Sequence, residues 1–180
     1  LTPGSVDGYM FDSDQSNIAA LGHRRWCLNP KMAKTGFGEG GTYSGMYSMD
    51  RSRAEEVDFD FVAYPAQGLT PIDYFTPKHA WSVSFNPKKY QTSDMEDVKV
   101  KVYPLSSAGK VPLLKKTKSP LKLDFFKINT KGCGIRNCVI FLPANVKVAN
   151  KKRYLVEVIG MKKADGSPAT VEYLVEFAKI

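Results

Sequence analysis

The chain has 180 residues, of which 43% are hydrophobic and 12% aromatic, enough for a folded core and too many for a disordered chain. This length allows one large domain or two small ones. No stretch approaches the roughly 18 apolar residues of a membrane-spanning helix, and the N-terminus lacks the pattern of a secretory leader. Because the first residue is Leu1 and not Met, we expect a processed or excised chain, with any targeting signal upstream.

The net charge of +8 is distributed unevenly. Residues 1–86 hold 7 Lys and Arg against 10 Asp and Glu, whereas residues 87–180 hold 19 against 8. This asymmetry favours two modules, the second facing an anionic partner such as a wall polymer, a membrane surface or a nucleic acid. A solvated lysine surface is the commoner explanation of the excess, since the lysines are scattered and do not cluster into a groove. With no stacking motif or recognition helix in the sequence, nucleic acid is the weakest of these candidates.

The first 30 residues predict a single main helix. Residues 1–13 are rich in Gly, Pro and Asp and predict an irregular lead-in. Asp14 or Ser16 can cap a helix that follows, and Pro30 disfavours helical geometry in the residue before it. We therefore expect a helix from about residue 14 to residue 29, with one face formed by Ile18, Leu21 and Trp26.

After this helix the hydrophobic period changes to two, which is typical of strands. Residues 35–38 and 43–49 predict a hairpin, residues 51–56 a charged turn or short helix, residues 57–64 a half-buried strand, and residues 66–77 an ordered crossing loop. Further alternating segments lie at 81–85, 98–103, 121–128, 135–142, 154–160 and 171–177, with turns at 107–109, 149–150 and 164–167. This succession predicts a mainly antiparallel β-sandwich.

The three cysteines cannot all pair with one another. Cys133 and Cys138 can bond only if the segment between them turns, because five residues of continuous strand span about 16 Å. We expect no disulfide. The sequence predicts that Cys27 is a small buried hydrophobic residue on the helix. No Cys/His cluster has the spacing of a structural zinc site.

Residues 22–30 carry the most informative motif, Gly-His-Arg-Arg-Trp-Cys-Leu-Asn-Pro, followed by a basic spacer and by Thr-Gly-Phe-Gly at 35–38. This order resembles the signature of the bacterial CAP superfamily of SCP-like extracellular proteins, in which a Gly-His-Arg helix ends in Leu-Asn-Pro and a Gly-aliphatic-Gly strand follows. Residues 64–68 and 80–85 also look like segments that follow such domains in secreted bacterial proteins. The resemblance covers about residues 5–85, and residues 90–180 show only pattern-level similarity to immunoglobulin-like sandwiches.

The resemblance implies an α+β chain that is secreted or attached to the cell surface. Residues 1–78 would be the C-terminal half of a CAP domain, a partial α/β region with one main helix, and residues 79–180 an immunoglobulin-like β-sandwich. In the family a cleft holds two histidines and two acidic residues, sometimes with a divalent metal, and His23 matches the second histidine. The other three positions precede it in the family order, so we expect either a piece of a longer protein or an incomplete, inactive cleft. Half of such a domain would expose apolar surface, which makes a homo-oligomer a further expectation.

His23 is therefore the candidate catalytic residue and the candidate metal ligand, with a divalent metal such as zinc as the possible cofactor. A metal needs three or four ligands, and the only other histidine, His79, is distant in sequence. A packed or capping role explains His23 as well. Arg24 and Arg25, near the end of the helix, favourably oppose its dipole without any anionic ligand.

The acidic and aromatic residues leave further alternatives. Asp58 and Asp60 share one strand face about 6–7 Å apart, where a cation would bridge them, although a plain solvent face is the commoner explanation. The adjacent Glu55 and Glu56 point apart, and the segment with Asp12 and Asp14 predicts helix capping rather than a calcium loop. A possible sugar-binding platform, which core packing explains equally well, consists of Tyr43, Tyr47, Tyr64, Tyr74, Phe75 and Trp81.

The sequence thus predicts a CAP-type binding module without independent catalysis, whose partner is a lipid or sterol, an anionic wall polymer or another protein. One alternative is a metal-dependent hydrolase cleft that upstream residues complete around His23. Another is an adhesin or wall-polymer binder that acts through the basic β module.

Overall fold

The computed structural model describes residues 3–91, 95–105 and 119–180. The predicted turn at 107–109 lies outside these ranges. The chain is α+β, with mostly antiparallel strands and two α-helices. Neither of those helices combines the length and apolarity needed to cross a bilayer, a statement that covers only the described residues.

The helices are α1 (Pro3–Phe11) and α2 (Gly22–Cys27). The strands are β1 (Gly36–Gly40), β2 (Tyr43–Tyr47), β3 (Phe61–Tyr64), β4 (Gly68–Pro71), β5 (Trp81–Phe85), β6 (Lys99–Leu105), β7 (Leu123–Asn129), β8 (Cys138–Pro143), β9 (Lys152–Lys162) and β10 (Pro168–Ala178). A 3₁₀ turn covers Ile72–Tyr74.

The prediction of one main helix is wrong. Helix α1 occupies the predicted lead-in and begins with Pro3, whose fixed φ suits the first position of a helix. Residues 15–20 form turns, and Leu21 has a left-handed backbone with φ of 46°, which no right-handed helix can pass through. Apolar residues do recur at helical spacing, but the left-handed backbone at Leu21 limits α2 to six residues.

The predicted hairpin is confirmed. Strands β1 and β2 pair antiparallel from Gly36 opposite Tyr47 to Gly40 opposite Tyr43. Gly41 adopts a positive φ of 59° in the turn, a conformation that glycine takes without steric cost.

The later strands β5 to β10 are confirmed with small shifts of their ends, whereas two earlier predictions need correction. Only Phe61–Tyr64 of the predicted strand 57–64 is a strand, and residues 51–56 are irregular. The crossing loop predicted at 66–77 contains β4, which pairs parallel with β10. Gly68 and Pro71 look like loop residues in the sequence, but β4 lies at a sheet edge, where proline is tolerated.

Strands β3 to β10 form two four-stranded sheets that share one hydrophobic core. Their strand orders are β3-β5-β8-β7 and β4-β10-β9-β6. Trp81 of the first sheet meets Tyr154 and Phe177 of the second at ring-centroid distances of 5.7 and 6.2 Å. Both β3 and β4 precede residue 78 and pair with strands that follow it. The domain boundary at residue 78 stays a prediction.

The helical region packs on the other face of the first sheet. Leu21 is fully buried in a second cluster with Ala80, Cys138 and Ile140. Strand β5 is consequently buried along its whole length on both faces. This contact fixes α2, and with it His23, relative to the sheets.

A glycine permits close approach between α2 and the chain before β8. Gly134 has φ of +71°, and a Cβ built on it would lie 2.6 Å from the carbonyl oxygen of Arg25. Gly166 has a similar φ of +86°, but the nearest atom to its Cβ position is a flexible side-chain nitrogen at 3.6 Å. Both glycines therefore need a positive φ, but only at Gly134 does a backbone atom lie too close for a Cβ.

We expect Gly134→Ala to lower the free energy of unfolding more than Gly166→Ala does. Both changes strain the backbone by about 1–2 kcal/mol, and at Gly134 the overlap with a backbone oxygen adds roughly 1–3 kcal/mol. Urea unfolding of the two variants beside the parent chain measures the difference. Equal losses would show that α2 does not approach this segment as described.

Candidate functional site

Arg24 is fully buried and connects α2 to the end of α1 and the start of β5. Its guanidinium donates to the carbonyl oxygens of Met10 at 2.6 Å, Phe11 at 2.5 Å and Ala80 at 2.5 Å. Its Cζ lies 4.6 Å from the centre of the Tyr64 ring. Burial lowers the pKa of Arg24 to about 10, so the side chain stays charged at neutral pH.

Arg25 is buried on the other side of α2 and connects it to the residues between β7 and β8. It donates to the carbonyl oxygens of Ile135 at 2.9 Å and Lys131 at 2.5 Å, to the Asn129 side chain at 3.1 Å, and to the Ala20 carbonyl at 3.1 Å. These acceptors account for the two arginines more directly than the helix dipole that the sequence suggested. Neither side chain is exposed for an external anion.

Asp12 holds His23 in place. Asp12 is 2% exposed, and its Oδ1 lies 2.8 Å from Nδ1 of His23. Its Oδ2 accepts hydrogen bonds from the backbone N–H groups of His23 at 2.9 Å and Arg24 at 3.3 Å, which caps α2. The sequence assigned this cap to Asp14 or Ser16, but the Asp14 carboxylate accepts from Ser16 and Asn17 in the preceding turn.

His23 lines a small surface pocket. Its side chain is 53% exposed, and the Tyr9 ring stacks on it at 5.3 Å with an interplanar angle of 25°. Trp26, Met46 and Ser48 complete the pocket, whose volume is about 110 Å³. Because Nδ1 faces Asp12, Nε2 is the ring nitrogen that remains for a ligand.

Asp12 is the acidic residue that contacts His23, and His79, the other histidine of the chain, has different partners. His79 packs instead against Phe75, with ring centroids 4.8 Å apart, and its Nδ1 accepts a hydrogen bond from the Thr76 N–H at 3.0 Å. Within residues 3–91, 95–105 and 119–180, no three His, Cys, Asp or Glu side chains form a group that would hold a metal.

The carboxylate pair of Asp58 and Asp60 is bridged by a cation, and that cation is a lysine. The ammonium of Lys89 lies 2.6 Å from Asp58 Oδ1 and 2.7 Å from Asp60 Oδ1. Glu56 forms an ion pair with Lys88. These residues therefore serve as surface ion pairs.

The six aromatic residues do not form one platform. Tyr43 and Tyr47 are exposed on one face of β2, as predicted, and Tyr74 is exposed near β4. Phe75 and Trp81 lie in the core, whereas Tyr64 is half-buried beneath Arg24. The three cysteines, Cys27, Cys133 and Cys138, carry free thiols, and burial raises the pKa of Cys138.

Comparison of the chain with family models, with curated proteins and with solved structures finds no match. The geometry around His23 and the motif at residues 22–38 are therefore the features of the chain that bear on its function. Two of the residues that form the pocket, His23 and Trp26, belong to the motif at residues 22–38. Tyr9 and Met46, which also line it, and Asp12, which contacts His23, lie outside the motif.

We expect Asp12→Ala to destabilise the chain by roughly 2 kcal/mol or more, because it removes the cap of α2 and a buried carboxylate beside the buried Arg24. The matched control, Asp14→Ala, removes an exposed cap and should cost about 1 kcal/mol or less. Urea unfolding measures both. A loss at Asp12 no larger than at Asp14 would contradict the role given to Asp12.

Stability should also depend on His79 between about pH 6.5 and pH 4. Burial, with a smaller contribution from Arg24, lowers the pKa of His79 from 6.5 to about 4. Between these pH values the His79 imidazole is protonated in the unfolded chain but largely neutral in the folded chain. The free energy of unfolding therefore falls as the pH drops through this range.

His79→Phe keeps an aromatic ring against Phe75 and removes the titrating group. We expect the variant to lose part of the pH dependence that the parent chain shows between pH 6.5 and 4. Urea unfolding at several pH values gives both profiles, and contributions from carboxylates cancel in their difference. Parallel profiles would contradict the assignment.

Proposed function

We propose that this chain is a CAP-type binding module of a secreted or cell-surface protein, continued by an immunoglobulin-like β-sandwich, and that the surface around His23 contacts its ligand. The motif at residues 22–38 supports the family. The two sheets that share one core support the sandwich. The proposal assigns no independent catalysis to the chain.

The size of the His23 pocket is the observation that carries the binding function. Pockets that enclose a whole small molecule usually measure about 300–1,000 Å³, whereas this one measures about 110 Å³. Such a volume suits one group of a larger ligand, such as a sugar unit, a lipid or sterol head, or a side chain of a protein partner. Its walls combine apolar surface from Trp26 and Met46 with the polar groups of His23 and Ser48, the composition of a recognition pocket.

Asp12 determines which hydrogen bond His23 offers. The carboxylate accepts from Nδ1–H, so in the neutral ring Nε2 is left as an acceptor. A ligand group with an O–H or N–H donor on an apolar body fits this arrangement. Hydroxyls of sugars and sterols have this character, in agreement with the wall and sterol partners that the family resemblance implies.

Co-sedimentation with isolated bacterial cell walls and with phosphatidylcholine vesicles with or without sterol tests the proposal. We expect saturable binding to one of these, weakened about tenfold in His23→Ala, since a buried or partly buried polar contact contributes roughly 1.5 kcal/mol. Tyr74→Ser is the control, because it removes an exposed side chain away from the pocket. Binding to none of these surfaces, or equal loss in both variants, would contradict the proposal.

A metal site at His23 is the second candidate, and the Asp12 contact favours it. Histidines that bind metal commonly donate their other ring N–H to a carboxylate. Titration of the chain with zinc distinguishes the candidates. A stoichiometric site that His23→Ala abolishes and Asp12→Asn weakens about 10–100-fold would support a metal-dependent cleft. Zinc binding that is unchanged in both variants would exclude it and leave the binding module.

A further inference from the structure

Two adjoining cavities form a groove between the helical region and the sheets. They measure about 560 and 330 Å³ and lie along the irregular residues 50–57. Six residues line both cavities: Asn29, Lys31, Glu56, Val57, Lys88 and Gly134. We call this surface the junction groove. Its larger cavity alone has the volume of a small-molecule site.

The junction groove is rich in cationic side chains. Five of them line it: Lys31, Arg51, Arg53, Lys88 and Arg136. Lys88 is paired with Glu56, and Arg53 donates to the Met32 carbonyl oxygen at 3.2 Å. In the described part of the chain, Lys31, Arg51 and Arg136 take part in no ion pair and are exposed.

Two of the three carboxylates that line the groove already have hydrogen-bond or ion-pair partners. Asp50 accepts hydrogen bonds from the backbone N–H groups of Ala33 at 2.8 Å, Lys34 at 2.9 Å and Ser52 at 3.0 Å. A hydrogen bond from the Ser52 side chain, together with these backbone bonds, lowers the pKa of Asp50. Glu56 faces Lys88. Among the carboxylates of the groove, Glu55 is exposed with no hydrogen bond or ion pair to the described residues. Lys88 and, to a smaller extent, Lys31 lower the pKa of Glu56, so Arg51 and Arg136 are the cations least engaged within the groove.

The polar groups that the groove presents are mainly donors, because guanidinium and ammonium groups predominate among them. Asn137 also lines the smaller cavity, but it is 3% exposed and its unpaired Nδ2 group is closed off from solvent. The cationic side chains are therefore the groups that a ligand in the groove would meet.

We propose that the junction groove binds an anionic chain through its phosphate or carboxylate oxygens. Such oxygens accept several hydrogen bonds at once and match the fork of an arginine. The groove continues over two cavities, so a repeating anion fits it better than a single ion. This site differs from the His23 pocket of the proposed function, and its cations come from both sides of residue 78.

Calorimetric titration of the full chain with tripolyphosphate and with hexaglutamate tests this site. The groove variant Lys31→Gln with Arg136→Gln is compared with Lys127→Gln with Lys147→Gln, which removes the same charge from exposed positions outside the groove. We expect at least about tenfold weaker binding in the groove variant, because two charge-assisted contacts are lost, and less than about twofold in the control. Binding should also weaken as salt is added.

Groove-dependent binding of either oligomer supports the site. Which oligomer binds shows whether the groove accepts phosphate or carboxylate oxygens. Circular dichroism and urea unfolding verify that both variants fold, as expected for exposed side chains. Equal loss in the two variants would show an effect of overall charge and overturn the proposal. Saturable binding of neither oligomer, with sedimentation only on phosphatidylglycerol vesicles, would overturn it as well.

Discussion

The structure depends on two buried arginines in a helix of six residues. A helix this short is not stable alone, because nucleation costs more than so few hydrogen bonds return. Arg24 joins α2 to the end of α1 and to Ala80, and Arg25 joins it to the residues before β8. Removing either side chain would leave several buried carbonyl oxygens without a hydrogen-bond donor. His23 directly precedes these two arginines in the chain, so its position follows from theirs.

The sequence predicts the strands well where apolar and polar or small residues alternate, and poorly where a local backbone conformation determines the structure. Trp81–Phe85 is recognisable because apolar and small residues alternate. The break at Leu21 was missed because an apolar residue with a left-handed backbone has no sequence signal. In the site, the motif identifies His23, but its partner Asp12 lies eleven positions earlier in the chain and outside the motif. Buried arginines also contradict the usual expectation that charged side chains are exposed.

Strand β5 links the two halves of the molecule. Its inner face belongs to the core shared by the sheets, and its other face lies beneath the helical region around Leu21. A strand buried on both faces admits little change in position. The helical region is therefore held against the sheets by close packing as well as by the hydrogen bonds of Arg25. The junction groove lies beside this contact, and one of its walls is formed by the irregular residues 48–57.

Trp26 and Ser48 line both the His23 pocket and the junction groove. The two surfaces differ in chemistry, since Nε2 of His23 offers an acceptor and the groove offers donors. A ligand in one place covers part of the wall of the other, so occupancy of either changes the surface that remains. Under the two proposals, a polymer that carries both hydroxyl and anionic groups would find complementary partners in both surfaces, whereas two separate ligands would compete for the shared residues Trp26 and Ser48.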